Sequence, residues 1–186
     1  MCRSVFILSV PALLLWQTLG AMSLDGNQET RLAVDVRIQN FANVPSGVLR
    51  LAMATARAVF GRAGIASNWT DCTPGTPDID LSCRSKRTAE AKVVRILSPE
   101  MTARLTTSGV EFGRAHLTED RSRGTYASVY WPRVQDLAHG PARAVSLGRE
   151  VGPARLREVR ILGYVLAHEL AHLFGIHHGK TGIMSG

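Results

Sequence analysis

The chain has 186 residues, of which 45% are hydrophobic and 20% charged, and its formal net charge is +7. That length allows one domain with a sizeable core, and no internal repeat, low-complexity tract or linker divides it. The basic balance suits acidic substrates, anionic envelope polymers or membrane surfaces; nucleic acid is not expected as a partner, since no nucleic-acid motif appears.

Residues 1–23 read as a secretory signal. Arg3 supplies the positive start, Val5 to Leu19 is an apolar run broken by Ser9, Pro11, Gln17 and Thr18, and small residues follow at Gly20, Ala21 and Ser23. The run is shorter than a comfortable membrane span and contains proline, so an uncleaved anchor is the weaker reading. Cleavage after Ala21 or Ser23 leaves a single domain, residues 24–186, in a secreted or extracytoplasmic location (periplasmic or extracellular), with no stable membrane insertion. Removing Arg3 lowers the net charge from +7 to +6.

The elements of the domain follow in order. Residues 31–39 alternate, with Leu32, Val34, Val36 and Ile38 on one face, which is a strand pattern. Pro45 and Ser46 open a helix to about Gly61, with Val48, Leu51, Ala52, Thr55 and Val59 at helical spacing and Gly61 and Gly64 ending it. Ile65 to Asp71 is a second strand, carrying the sequon Asn68-Trp69-Thr70, which has meaning only in a eukaryotic host. Cys2 leaves with the signal, so Cys72 and Cys83 remain across an irregular Pro- and Gly-containing loop. They are assigned as a disulfide, the alternative being two free thiols. The run Arg84-Ser85-Lys86-Arg87 reads as a solvated loop.

Lys92 to Leu97 is a third strand, and Pro99 to Ser108 contains a short helix. Val110 to Leu117 and Thr125 to Trp131 are strand-like and separated by a polar loop with Arg121, Arg123 and Gly124. His116, alone on its strand, reads as a surface or half-buried residue and not as a ligand. A long helix begins near Pro153, a residue favoured at the first helical position, and runs to about Phe174. Leu156, Val159, Leu166, Leu170 and Leu173 form its expected core stripe. Gly163 inside it costs about 1 kcal/mol relative to alanine, a cost that close packing on the sheet would offset. Tyr164 stands four residues before His168 and is read as a packed aromatic.

That helix ends in the pattern H-E-x-x-H-x-x-G-x-x-H, from His168 to His178. On a helix, residues four apart lie about 40° from each other and about 6 Å along the axis, so His168 and His172 can share one ion. Glu169, on the flank of that face, is badly placed as a ligand and well placed to reach a metal-held water. His178 cannot meet the same ion if the helix continues; Gly175 is the residue that can take the left-handed conformation and turn the chain back. Three protein ligands and an open position describe one catalytic Zn2+ ion. Zinc lowers the pKa of its water towards roughly 7 and polarises a scissile carbonyl, while Glu169 serves as general base and then acid. A short His-Glu-x-x-His match arises easily by accident; the added glycine and third histidine at fixed spacing do not. His177 falls outside the pattern, faces solvent, and is the obvious substitute should His178 not be the third ligand.

At these residues the chain resembles the metzincin clan of zinc metallopeptidases, most like its matrixin-like and minimal bacterial forms. The likeness covers residues 168–184 and includes Gly182-Ile183-Met184 in the place of the clan's Met-turn. It implies that Met184 forms an apolar floor beneath the ligands without binding the metal. It also implies that a strand near Gly113–Leu117 is the sheet edge that pairs with substrate backbone. The expected fold is α+β: a zincin-like domain with a twisted mixed β-sheet, a long active-site helix and a very short C-terminal part.

The expected function is therefore a secreted zinc-dependent endopeptidase, monomeric and acting on peptide or protein substrates. The alternative is a catalytically weak or inactive metzincin-like zinc-binding protein that holds a partner in its cleft. The chain stops two residues after Met184 and lacks a tyrosine just after it, which favours the alternative; Glu169, which a binding protein does not need, favours the enzyme.

Overall fold

The structure is a computed structural model that describes residues 33–75, 83, 91–105, 111–120, 122–140, 151–180 and 182–184. The signal at 1–23, the first residues of the expected first strand, the run Arg84–Arg87 and Arg121 lie outside the described residues. Residues 31–186 form one compact unit. Among the described residues no helix is long and apolar enough to cross a membrane.

The elements are β1 (Ala33–Asn40), α1 (Ser46–Arg62), β2 (Ala66–Asp71), β3 (Lys92–Leu97), α2 (Pro99–Leu105), β4 (Gly113–Leu117), β5 (Gly124–Tyr130), α3 (Trp131–His139), α4 (Val151–His172) and a 3-10 turn, Gly182–Met184. The five strands make one mixed sheet in the order β2-β1-β3-β5-β4. The first four run parallel, and β4 is antiparallel to β5 at the edge. The architecture is α+β with a mixed sheet and one long helix, as the order of elements predicts.

Alternation in β1 is what puts its apolar set on one side: Val34, Val36 and Ile38 are buried while Ala33 and Asp35 are exposed. Those three join Val94 and Ile96 of β3, Ala127 and Val129 of β5, and the inner faces of α1 and α4 in a single core. The central strand β3 is covered on both sides, which suits a parallel strand rich in Val and Ile. Cys72, just after β2, is joined to Cys83 by a disulfide with Cα atoms 5.5 Å apart.

Four expectations need correction. In α1 the buried set is Val48, Leu49, Ala52, Ala56 and Phe60, while Leu51 is 47% exposed. Thr55 and Val59 are only half-buried, so the inner face is turned relative to the one expected. Both stripes satisfy helical spacing, and Phe60, the largest apolar side chain of the helix, goes to the core. In α4 Leu156 is 63% exposed and Leu162 is fully buried in its place. The first turns of α4 pack on α3, so there the covered side is that of Ala154 and Glu158. There His139 Nε2 lies 2.8 Å from Glu158 Oε1, and Arg157 Nε donates to the Ala138 carbonyl at 2.6 Å.

The third correction is α3 itself, a helix beginning at Trp131 where the strand was expected to end. Pro132 in its first turn and the helical spacing of Trp131, Val134 and Ala138, all three buried, are its signature in the sequence. The fourth concerns Gly163, which packs on α1 and not on the sheet. A Cβ there would lie 2.6 Å from Thr55 Cβ and 3.0 Å from the Ala52 carbonyl oxygen.

Candidate metal centre

Helix α4 carries His168 and His172 on one face, one turn apart, and then stops. Gly175 takes φ +75°. The N–H of Ile176 bonds the Ala171 carbonyl at 3.2 Å and that of Gly175 bonds the His172 carbonyl at 2.8 Å. This pair of bonds is the Schellman closure, in which a left-handed residue satisfies the last carbonyls and reverses the chain. A side chain at Gly175 would also strike the Ser122 carbonyl oxygen in the β4–β5 turn. The helix end is tied to the sheet by the Gly124 N–H, which donates to the Leu173 carbonyl at 3.0 Å. The buried Lys92 Nζ donates to the Gly124 carbonyl at 2.8 Å and lies 5.3 Å from the centre of the Phe174 ring.

The reversal returns His178 to the helix. His168, His172 and His178 present their Nε2 atoms to one another at 3.1, 3.1 and 3.2 Å. Three nitrogens each at a typical zinc distance in a tetrahedron would be about 3.3 Å apart, so this triangle fits one face of a tetrahedral zinc site. The chemistry of the donors agrees. His168 Nδ1 lies 2.7 Å from the Ile183 carbonyl oxygen, and His172 Nδ1 lies 2.7 Å from that of Ile176. A carbonyl only accepts, so each Nδ1 carries the proton and each Nε2 offers a lone pair. Burial also draws the His172 pKa down, favouring the neutral form that binds metals. Converging lone pairs repel unless a cation lies between them, and these three residues form a group able to hold one.

Glu169 follows His168 but points to β4. Its side chain is buried, and burial first, then the charge of Glu111, push its carboxyl up to about 8, against a backbone N–H bond from Ala115 that lowers it. A cation at the histidine nitrogens acts in the lowering direction. The carboxylate and the three imidazoles open on a cleft of about 1030 Å³ between β4 and α4, with Phe112 and Tyr164 also on its walls.

The remaining candidates fall as follows. His177 lines the cleft but is exposed and outside the nitrogen triangle. His116 is half-buried and stacks on Tyr126 with ring centres 4.1 Å apart, away from the triangle. Tyr164, expected to be packed, is 43% exposed on the cleft wall. Met184 is half-buried against the core, and its carbonyl accepts from the Gly179 N–H at 2.8 Å. The sequence pattern did not disclose the carbonyls of Ile176 and Ile183, because any residue supplies a carbonyl. Their signal was indirect: a ligating imidazole needs a partner for its other nitrogen.

Compared with known proteins, the chain matches no family model and no curated protein. Among solved structures it is similar to archaemetzincin from Methanopyrus kandleri, with a TM-score of 0.45 and 14% identity, covering 86% of this chain and 83% of that one.

Proposed function

We propose that the protein is a secreted, monomeric zinc-dependent endopeptidase of the metzincin type. The observation that carries this reading is the convergence of three Nε2 atoms beside the buried carboxyl of Glu169, at the floor of a cleft bounded by a sheet edge. His168, His172 and His178 would hold the metal. A zinc ion there supplies Lewis acidity, which makes a water more acidic and polarises a carbonyl.

The protein's own groups then have distinct tasks. Glu169 takes a proton from the attacking water and delivers it to the leaving nitrogen; its burial in a mostly apolar wall keeps bulk water from competing for that proton. The N–H of Ala115 holds one side of the carboxylate, which fixes its direction. Tyr130 N–H bonds the Phe112 carbonyl, and Arg114 faces Ser128, so Phe112 and Arg114 are the residues of this end of β4 that bond to β5. Gly113 and Ala115 therefore turn their backbone groups away from the sheet; the Ala115 N–H is taken by Glu169, so an extended peptide pairs by strand addition with Gly113 and the Ala115 carbonyl. Such pairing reads main chain, so a peptide of broad sequence fits. Export is supported by the signal pattern of residues 1–23 and by the Cys72–Cys83 disulfide.

The test compares wild type with Glu169→Ala. Both should retain one zinc per chain, and wild type should cleave an unstructured peptide in a chelator-sensitive way. The variant should lose kcat on the order of 100- to 10,000-fold. Zinc retained with no cleavage by wild type would leave a zinc-binding protein that holds a partner in its cleft. Absence of zinc would sink both readings.

A further inference from the structure

Gly113 opens the edge strand β4, and its place there is not explained by its backbone. Its φ is outside the left-handed region, in which the described glycines are Gly64, Gly75, Gly140, Gly175 and Gly182. Glycine also weakens a strand, through lost entropy and the absence of a side chain to pack; inside a strand it commonly marks a place where another group must come close. That group is identifiable. A Cβ built on Gly113 would lie 2.7 Å from Glu169 Oε1 and 2.8 Å from Glu169 Cδ, and 2.7 Å from the Ser128 carbonyl oxygen.

Of these two obstacles one is fixed. Ser128 is buried in β5 and paired in register with Arg114, so its carbonyl cannot retreat without opening the sheet. Glu169 Oε1 is the far end of a side chain with rotatable bonds, so the carboxylate yields first. Moving it away from β4 draws it from the Ala115 N–H that holds it.

We propose that Gly113 is a positioning residue for Glu169: its missing side chain forms the slot in which the carboxylate lies against the edge strand. The inference rests on the reading of Glu169 as general base, but the slot is a property of packing and can be tested without catalysis. Glu169 is thus aimed from two sides, by α4 that carries it and by the strand that would receive the peptide. A substrate pairing with Gly113 is registered to the same residue that leaves room for the base.

Thermal unfolding of the full chain at saturating zinc would be measured for wild type, Gly113→Ala, Glu169→Ala and the double variant. Gly113→Ala should lower the midpoint by about 5 °C or more; the Ser128 carbonyl keeps its share of that loss in either background, so the loss should be smaller, but not absent, when Glu169 is already alanine. Equal losses in the two backgrounds would overturn the proposal, since the clash would then lie with Ser128 alone. If Gly113→Ala does not fold, recovery of folding in the double variant supports the slot, and failure of both overturns it. With a cleaved peptide, Gly113→Ala should lower kcat on the order of 100-fold while KM stays within about twofold and zinc content is unchanged. A loss confined to KM would overturn the positioning role. Should wild type cleave nothing, the general-base reading fails, while the unfolding comparison still decides whether Gly113 shapes the slot.

Discussion

His177 and His178 are neighbours with the same chemistry, and only one of them joins the histidine triangle. Beyond the reversal at Gly175, His178 turns its Nε2 to within 3.1 Å of that of His172, while His177 stays outside the nitrogen triangle. His178→Ala should therefore leave less than one zinc per chain by metal analysis, and His177→Ala should leave zinc content unchanged. Equal effects would show that the two histidines exchange roles. At this scale the meeting of the three histidines was legible, because helical geometry and one glycine dictate which of them can converge. Tyr164 was not: a helix position four residues before a ligand is either wall or core, depending on what faces it, and β4 stands far enough away to leave a cleft.

The contact of α1 with α4 shows how an element-level detail is decided by competing magnitudes. Gly163→Ala would gain about 1 kcal/mol in helix propensity. It would also place a methyl 2.6 Å from Thr55 Cβ and 3.0 Å from the Ala52 carbonyl oxygen, where backbone as well as side chain must shift. Overpacking of that kind costs about 1–3 kcal/mol, so the variant should be less stable by about 1 kcal/mol, read as a lower urea midpoint with unchanged slope. A raised midpoint would mean that the helices separate freely. Elements with strong local signals were legible in the sequence: β3 stands at Lys92–Leu97 as the pattern predicts, and β1, α1 and α4 agree within about two residues, the usual scatter at element ends. Helix α3 was not recognised, because a β-rich approach, Thr125 to Trp131, runs directly into it and Pro132 is its only firm start signal. The inner face of α1 was misplaced for a related reason: Leu49 and Leu51 are equally apolar, and burial of one or the other is settled by the neighbouring helix.

For the whole molecule, the proposed zinc links α4 to the segment beyond it, since His178 lies past the helix and His168 is held by the Ile183 carbonyl of the C-terminal turn. A ligand that binds only the folded state at 100 times its Kd adds about 2.7 kcal/mol. Chelation should accordingly lower the unfolding midpoint by about 5–10 °C, reversibly on adding zinc back, in a scanning calorimeter. A midpoint insensitive to chelator would sink the assignment of a tightly held ion.

From its residues alone the chain determined the three histidines, the acid beside them, the break at Gly175 and the mixed α and β elements, because each depends on spacing within one helix or strand. Tertiary structure decided which carbonyls fix the imidazole protons, which leucines are core, and that Gly113 faces Glu169. Apart from the contact of His172 with the Ile176 carbonyl, four residues on, these are meetings between residues far apart in the chain. Local propensity carries little information about them, and only packing of the sheet against α4 creates them.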